Sequence, residues 1–187
     1  FQVRATVSNI LRVPVSQIKV TPMEIGGGFG GKITAYLDAI CAVLAKKTGS
    51  PVKAIMTRTE VFEASGPAPA SWMRVKIGVK NNGKMTAVET EMAMDAGAYP
   101  GSPVMQAIVC AFACYDVENG KVDGYDVVDN KPKTAAYRAP GSPQAAFAVE
   151  SLIDEICAEL KMDPIDCPLY TSPSPRDLST SRMPSSA

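Results

Sequence analysis

The chain has 187 residues, with 19 basic side chains balanced by 19 acidic ones and no histidine. Balanced charge leaves no electrostatic footprint for nucleic acid or an anionic membrane, and no apolar run approaches the ~20 residues that span a bilayer. Without histidine, Ser-His-Asp and Cys-His catalysis are excluded within this chain, and the commonest zinc sites go with them.

The length suffices for one domain with a real core, or for two small ones. Phe1-Gln2-Val3-Arg4 carries neither an initiator methionine nor a leader's apolar segment, so a cut N-terminus is expected. Val3, Val7, Ile10 and Leu11 are spaced for a short amphipathic helix within residues 1–13, ended by Pro14. Ile18-Lys19-Val20 reads as a strand leading into Gly26-Gly27-Gly28-Phe29-Gly30-Gly31-Lys32. From Lys32 to Lys47 the apolar positions Ile33, Tyr36, Leu37, Ile40, Val43 and Leu44 predict a helix, with Gly49 and Pro51 as its stop. Residues 52–56 read as a strand and residues 60–70 as irregular. Residues 72–80 alternate, with Met73, Val75, Ile77 and Val79 on one face. Asn81-Asn82-Gly83-Lys84 turns the chain, and residues 85–94 return as a second strand.

Residues 97–103 are expected as loop, 104–113 as an apolar helix and 125–128 as a short strand. A second special loop, Ala136-Tyr137-Arg138-Ala139-Pro140-Gly141-Ser142-Pro143, leads into a helix running to Leu160. Ser142 is the expected N-cap and Pro143 the first helical residue, with Phe147, Val149, Leu152, Ile153, Ile156 and Leu160 inward. Met162-Asp163-Pro164 closes that helix. The whole predicts an α+β fold without internal repeats. The five cysteines, Cys41, Cys110, Cys114, Cys157 and Cys167, form no Cys-x-x-Cys pair. Most of them read as small buried apolar residues of a reducing compartment.

Chemistry concentrates in the glycine run. Five residues without side chains bring backbone N–H groups close to a large polar partner, at a stability cost of about 0.5–1 kcal/mol per glycine. Such loops cradle anions at helix starts. Gly26-x-Gly28-x-x-Gly31 matches the dinucleotide fingerprint in form, but Lys46, Lys47 and Lys53 stand where an acidic ribose partner, about 20 positions on, belongs. The Walker pattern fails at Ile33, which follows Gly31-Lys32 where Ser or Thr is required. A flexible linker and a nucleotide-binding loop at 26–31 remain the alternatives.

Several ordered motifs together are more specific: the glycine run, Gly97-Ala98-Tyr99, Asn130-Lys131-Pro132, the 136–144 loop ending Pro143-Gln144, and Phe147-x-x-Glu150 with Asp154-Glu155. With these, residues 1–166 resemble the molybdenum-binding large subunit of the xanthine dehydrogenase / aldehyde oxidase family, in its carbon-monoxide-dehydrogenase-like bacterial form. The resemblance implies a partial molybdopterin-binding domain, an internal fragment of a molybdenum hydroxylase. It implies that Gly28, Phe29, Gly30 and Gly31 face a molybdenum–molybdopterin cofactor, in the cytosine dinucleotide form usual in bacteria, and that Arg138 sits beside it. An arginine that merely orders its own loop is the alternative for Arg138. No residue here is expected to ligate the metal.

The implied activity is hydroxylation of an aldehyde or N-heteroaromatic carbon with water-derived oxygen. Electrons pass to 2Fe-2S and FAD partner subunits or domains, in a cytoplasmic assembly that is an oligomer when complete. The general-base glutamate is expected beyond this chain, so the fragment is not active alone, and Glu150, Asp154 and Glu155 are not candidates. Ile33, Gln106 and Pro140 are the substrate-pocket candidates. They stand where purine-oxidising members carry a glutamate, an arginine and a stacking phenylalanine, so purine oxidation is not expected. A degenerate scaffold without cofactor is the further alternative. Residues 167–187, Ser/Pro-rich and without apolar period, resemble a translated sequencing adapter, and read as a non-native, disordered tail.

Overall fold

A computed structural model describes residues 1–163. The predicted Pro164 and the 167–187 tail lie outside the described residues. The element order is α1 (Gln2–Leu11), a 3-10 turn (Val15–Gln17), α2 (Asp38–Thr48), α3 (Arg58–Ala64), β1 (Ser71–Val79), β2 (Met85–Gly97), α4 (Val104–Ala111), β3 (Gly120–Val128) and α5 (Ser142–Leu160). This is the α+β class that the sequence predicts. The chain divides into two compact units. One comprises Phe1–Pro69, Asp95–Ser102 and Val128–Pro140; the other comprises Ala70–Met94, Pro103–Val127 and the chain from Gly141.

The second unit holds the larger core. β1 and β2 pair antiparallel from Ser71↔Met94 to Val79↔Met85, as the alternation of residues 72–80 requires. The turn closes with Gly83 N–H donating to the Lys80 carbonyl at 2.8 Å. β3 joins the far side of β2, giving the order β1-β2-β3. Met85, Val88, Met92 and Met94 from β2 pack with Ala107 and Ala111 of α4 and with Ala145, Val149, Ile153 and Cys157 of α5. The α5 burial follows a four-residue period, so one narrow stripe faces the core.

That stripe corrects part of the sequence reading. Phe147, expected inward, is 77% exposed, while Cys157 is fully buried. Leu152, Ile156 and Leu160 are half-buried flanks. The N-cap of α5 is Gly141 rather than Ser142; Ser142 and Pro143 occupy its first turn. The reason is a competing partner: Ser142 Oγ donates to Cys110 Sγ at 3.1 Å instead of capping a backbone N–H. Cys110 and Cys114 are exposed and Cys41 is half-buried, so of the four described cysteines only Cys157 fits the buried reading.

In the first unit α1 packs on α2, burying Val7 and Ala39. The helix predicted from Lys32 begins only at Asp38, because the preceding residues form tight turns. Gly31 N–H donates to the Gly28 carbonyl at 2.9 Å and Ile33 N–H to the Gly30 carbonyl at 3.2 Å, one residue short of the helical pattern. Gly49, at φ 65°, ends α2 as predicted. Residues 18–20 and 52–56, predicted as strands, are not part of the sheet. Residues 18–20 and 52–54 line a groove of 660 Å³ with Val3, Val7 and Leu11, and neither segment has a strand partner among the described residues. Residues 60–70 are predicted irregular, but 60–64 belong to α3, which starts at Arg58: Thr57 accepts from Glu60 N–H while the Glu60 carboxylate accepts from Thr57 N–H, a reciprocal cap.

Candidate functional site

The glycine run and the 136–140 loop meet within the first unit. Arg138 N–H donates to the Phe29 carbonyl at 2.8 Å. Gly30, at φ +99°, presents its bare Cα to Ala136: a Cβ there would lie 2.5 Å from the Ala136 carbonyl oxygen. No other residue allows both that backbone conformation and that approach. Phe29 at φ 50° and Ala139 at φ 56° are left-handed without being glycine, so each loop carries local strain beside the contact.

This docking fixes what the loop presents. The N–H groups of Gly28, Phe29 and Gly30 make no hydrogen bond among the described residues. Gly28 and Gly30 are half-buried and Gly31 is exposed, while the Phe29 ring stands 64% exposed. The main chain of Arg138 is used in docking, yet its guanidinium has no described partner. Three unpaired donors on one short loop, with a forked cation on the loop docked to it, fit an oxygen-rich anionic group. A molybdopterin cofactor meets that description through its phosphate and metal-oxo oxygens.

Of the substrate-pocket candidates, Ile33 is 54% exposed and follows the glycine run, and Pro140 is half-buried and follows Ala139. Both belong to the first unit. Gln106 belongs to the second, on the exposed side of α4. Sequence reasoning missed Lys32, whose ammonium donates to the Ile25 carbonyl at 2.6 Å across the base of the run. The signal available was a lysine placed directly after the glycines.

A second ledge joins the other two family-like motifs. Gly97, at φ +72°, sits where a Cβ would lie 2.7 Å from the Pro132 carbonyl carbon. Ala98 N–H donates to the Lys131 carbonyl at 2.9 Å, and Asp129 N–H to the Gly97 carbonyl at 3.1 Å. Lys131 Nζ bridges Asp129 at 2.6 Å and Asp95 at 2.7 Å. Asp129 first and Asp95 second push the Lys131 ammonium above the usual lysine range. The same ammonium, then the Gly97 N–H, hold the Asp95 carboxyl below the usual carboxylate range.

The clamp therefore has two pH limits. The Asp95 contribution is present above its unfolded value of roughly 3.9 and is lost as pH falls through the lower folded value. The Lys131 contribution is complete below its unfolded value of roughly 10.4 and is lost as pH rises through the raised folded value. Lys131→Met is expected to lower the melting temperature at neutral pH. The gap from the parent should narrow at both extremes when melting is followed by circular dichroism. A gap independent of pH would assign the effect to the lysine stem instead.

Among the described residues no helix is long and apolar enough to cross a membrane, and no cluster of three His, Cys, Asp or Glu side chains is placed to hold a metal ion.

The family model of the molybdopterin cofactor-binding domain matches residues 1–168. The nicotinate dehydrogenase large molybdopterin subunit of Eubacterium barkeri is 34% identical over 166 residues, covering 87% of this chain and 39% of that subunit. Xanthine dehydrogenase of Blastobotrys adeninivorans is 34% identical over 157 residues, covering 81% of this chain and 11% of that enzyme. Among solved structures, quinoline 2-oxidoreductase from Pseudomonas putida 86 superposes with a TM-score of 0.84 at 26% identity, over 94% of this chain and 23% of its own. The chain thus spans well under half the length of each of these proteins. By the match over residues 1–168 and by these relatives, the chain belongs to the molybdopterin cofactor-binding domain family of the molybdenum-dependent oxidoreductases related to xanthine dehydrogenase and aldehyde oxidase.

Proposed function

We propose that this chain supplies one wall of the cofactor site of a molybdenum hydroxylase acting on an aldehyde or N-heteroaromatic carbon. The observation that carries this reading is the docking of Arg138 onto Phe29, which leaves three loop N–H groups and a guanidinium without partners among the described residues. Bound there, a molybdenum–molybdopterin group supplies two-electron chemistry that places a water-derived oxygen on an electrophilic carbon. The chain's own part is positional. The N–H groups of Gly28, Phe29 and Gly30 hold oxygen atoms at fixed points, while the Gly31 N–H, expected among them, closes the turn onto the Gly28 carbonyl, and Arg138 balances negative charge. A loop already set by its docking partner loses little further freedom on binding.

Ile33 and Pro140 offer apolar surface and Gln106 an uncharged amide, so a purine would find two anchors and a stacking face missing. Each is worth about 1–3 kcal/mol. Relatives named for nicotinate and quinoline chemistry favour the N-heteroaromatic class. The reading includes the cytosine dinucleotide form of the cofactor and a general-base glutamate supplied outside this chain. It also includes 2Fe-2S and FAD partners in a cytoplasmic oligomer.

The test is metal and nucleotide analysis of the complete polypeptide purified from its source. Molybdenum near one per polypeptide, with a cytosine nucleotide released on acid hydrolysis, is the expected result. A tightly held adenine nucleotide without metal would replace this reading by nucleotide binding. A folded product with neither group would make the chain a scaffold.

A further inference from the structure

The base of the glycine run is closed by a side chain that the docking of the two loops does not require. Lys32 Nζ donates to the Ile25 carbonyl at 2.6 Å, so residues 25 and 32 are tied across the whole run. The Lys32 stem lies over the run as well: a Cβ on Gly28 would touch Lys32 Cβ at 3.6 Å and Cδ at 3.9 Å. No carboxylate pairs with this ammonium among the described residues. Between the two tied ends lie the unpaired N–H groups of Gly28, Phe29 and Gly30, with Gly26, Gly27 and Gly30 all at positive φ. A run with that much conformational freedom samples many shapes unless something holds both ends.

We propose that Lys32 is a positioning residue: its bond to the Ile25 carbonyl latches the run into the cradle shape, and retention of the cofactor depends on the latch. The proposal rests on the molybdopterin reading above for its second half only. Lys32 touches no reacting atom in this role. It acts through the backbone of residues 26–31, by restricting the shapes they take before any anion arrives.

Two variants of the complete polypeptide, Lys32→Met and Lys32→Arg, compared with the parent, separate the possibilities. The first readout is hydrogen–deuterium exchange of the 24–34 segment in protein made by a host unable to synthesise molybdopterin. Loss of a charged hydrogen bond worth about one tenfold step predicts roughly 10-fold faster exchange of the hydrogen-bonded Gly31 and Ile33 amides in Lys32→Met. The α5 amides should be unchanged, and Lys32→Arg should return most of the protection, since a guanidinium also donates to a carbonyl. The second readout is molybdenum per polypeptide in protein from a competent host, expected to fall several-fold in Lys32→Met and to recover in Lys32→Arg. Unchanged exchange in Lys32→Met overturns the latch. Faster exchange with full molybdenum content overturns the dependence of retention on it. Absence of molybdenum from the parent would instead strike the cofactor reading, and the exchange experiment would still decide the latch.

Discussion

Gly30→Ala is expected to separate the two loops that build the site. The new Cβ would lie 2.5 Å from the Ala136 carbonyl oxygen and 2.8 Å from its carbon, both backbone atoms that move only with the loop. The substituted residue would also keep φ near +99°, outside the region an alanine tolerates. Together these effects should cost on the order of 2–4 kcal/mol. In a domain of this size that is a fall of several degrees in melting temperature. Gly31→Ala is the matched control. Its φ is not positive and its nearest neighbour, the Gly28 carbonyl oxygen, would lie at 3.6 Å, an ordinary contact. A change of no more than about 0.5 kcal/mol is expected there. Thermal melting and molybdenum content should therefore separate two adjacent glycines that look alike in the sequence. Equal behaviour of the two variants would mean that the contact with Ala136 does not hold the loop.

Ile153→Ala is expected to have the largest effect on the second unit. The side chain is fully buried between α5 and the strands, with Met92 and Met94 also at zero exposure. Removing three carbons from such a site costs about 2–5 kcal/mol, since the surrounding packing closes only part of the cavity. Ile153→Val should cost about 0.5–1.5 kcal/mol. Phe147→Ala, a larger deletion from the same helix, should change stability by no more than about 0.5 kcal/mol, because that ring stands 77% exposed. Urea unfolding of the three variants checks the order. A Phe147→Ala cost equal to that of Ile153→Ala would place the aromatic face of α5 in the core, as the apolar pattern alone suggests.

The difference between those two residues shows what periodicity can read. α5 carries more apolar positions than one buried stripe can use, so the pattern located the helix from Ser142 to Leu160 but overcounted its buried face. The β1–β2 hairpin was more legible, because strict alternation and an Asn-Asn-Gly turn leave one register that turns the half-buried Met73, Val75 and Ile77 toward the core. Residues 18–20 and 52–56 carry the same β-like composition without becoming strands. A strand exists only when a neighbour takes its hydrogen bonds, and composition does not say whether that neighbour is present. The α3 cap was visible as Thr57-x-x-Glu60, but a run of alanine and proline beyond it obscured a helix of only seven residues.

By itself, the sequence determined the chemistry on offer: a glycine run free to take left-handed shapes, an arginine loop, and no histidine for the commoner mechanisms. Those are local properties of side chains and of their absence. Only the tertiary structure decided that Arg138 docks through its N–H and keeps its guanidinium without a partner among the described residues, that Gly30 rather than Gly31 bears the close contact, and that Lys32 ties the run shut. Each of these depends on which backbone atom another segment brings within about 3 Å, and hydrogen-bond and contact energies fall away within an ångström of that distance.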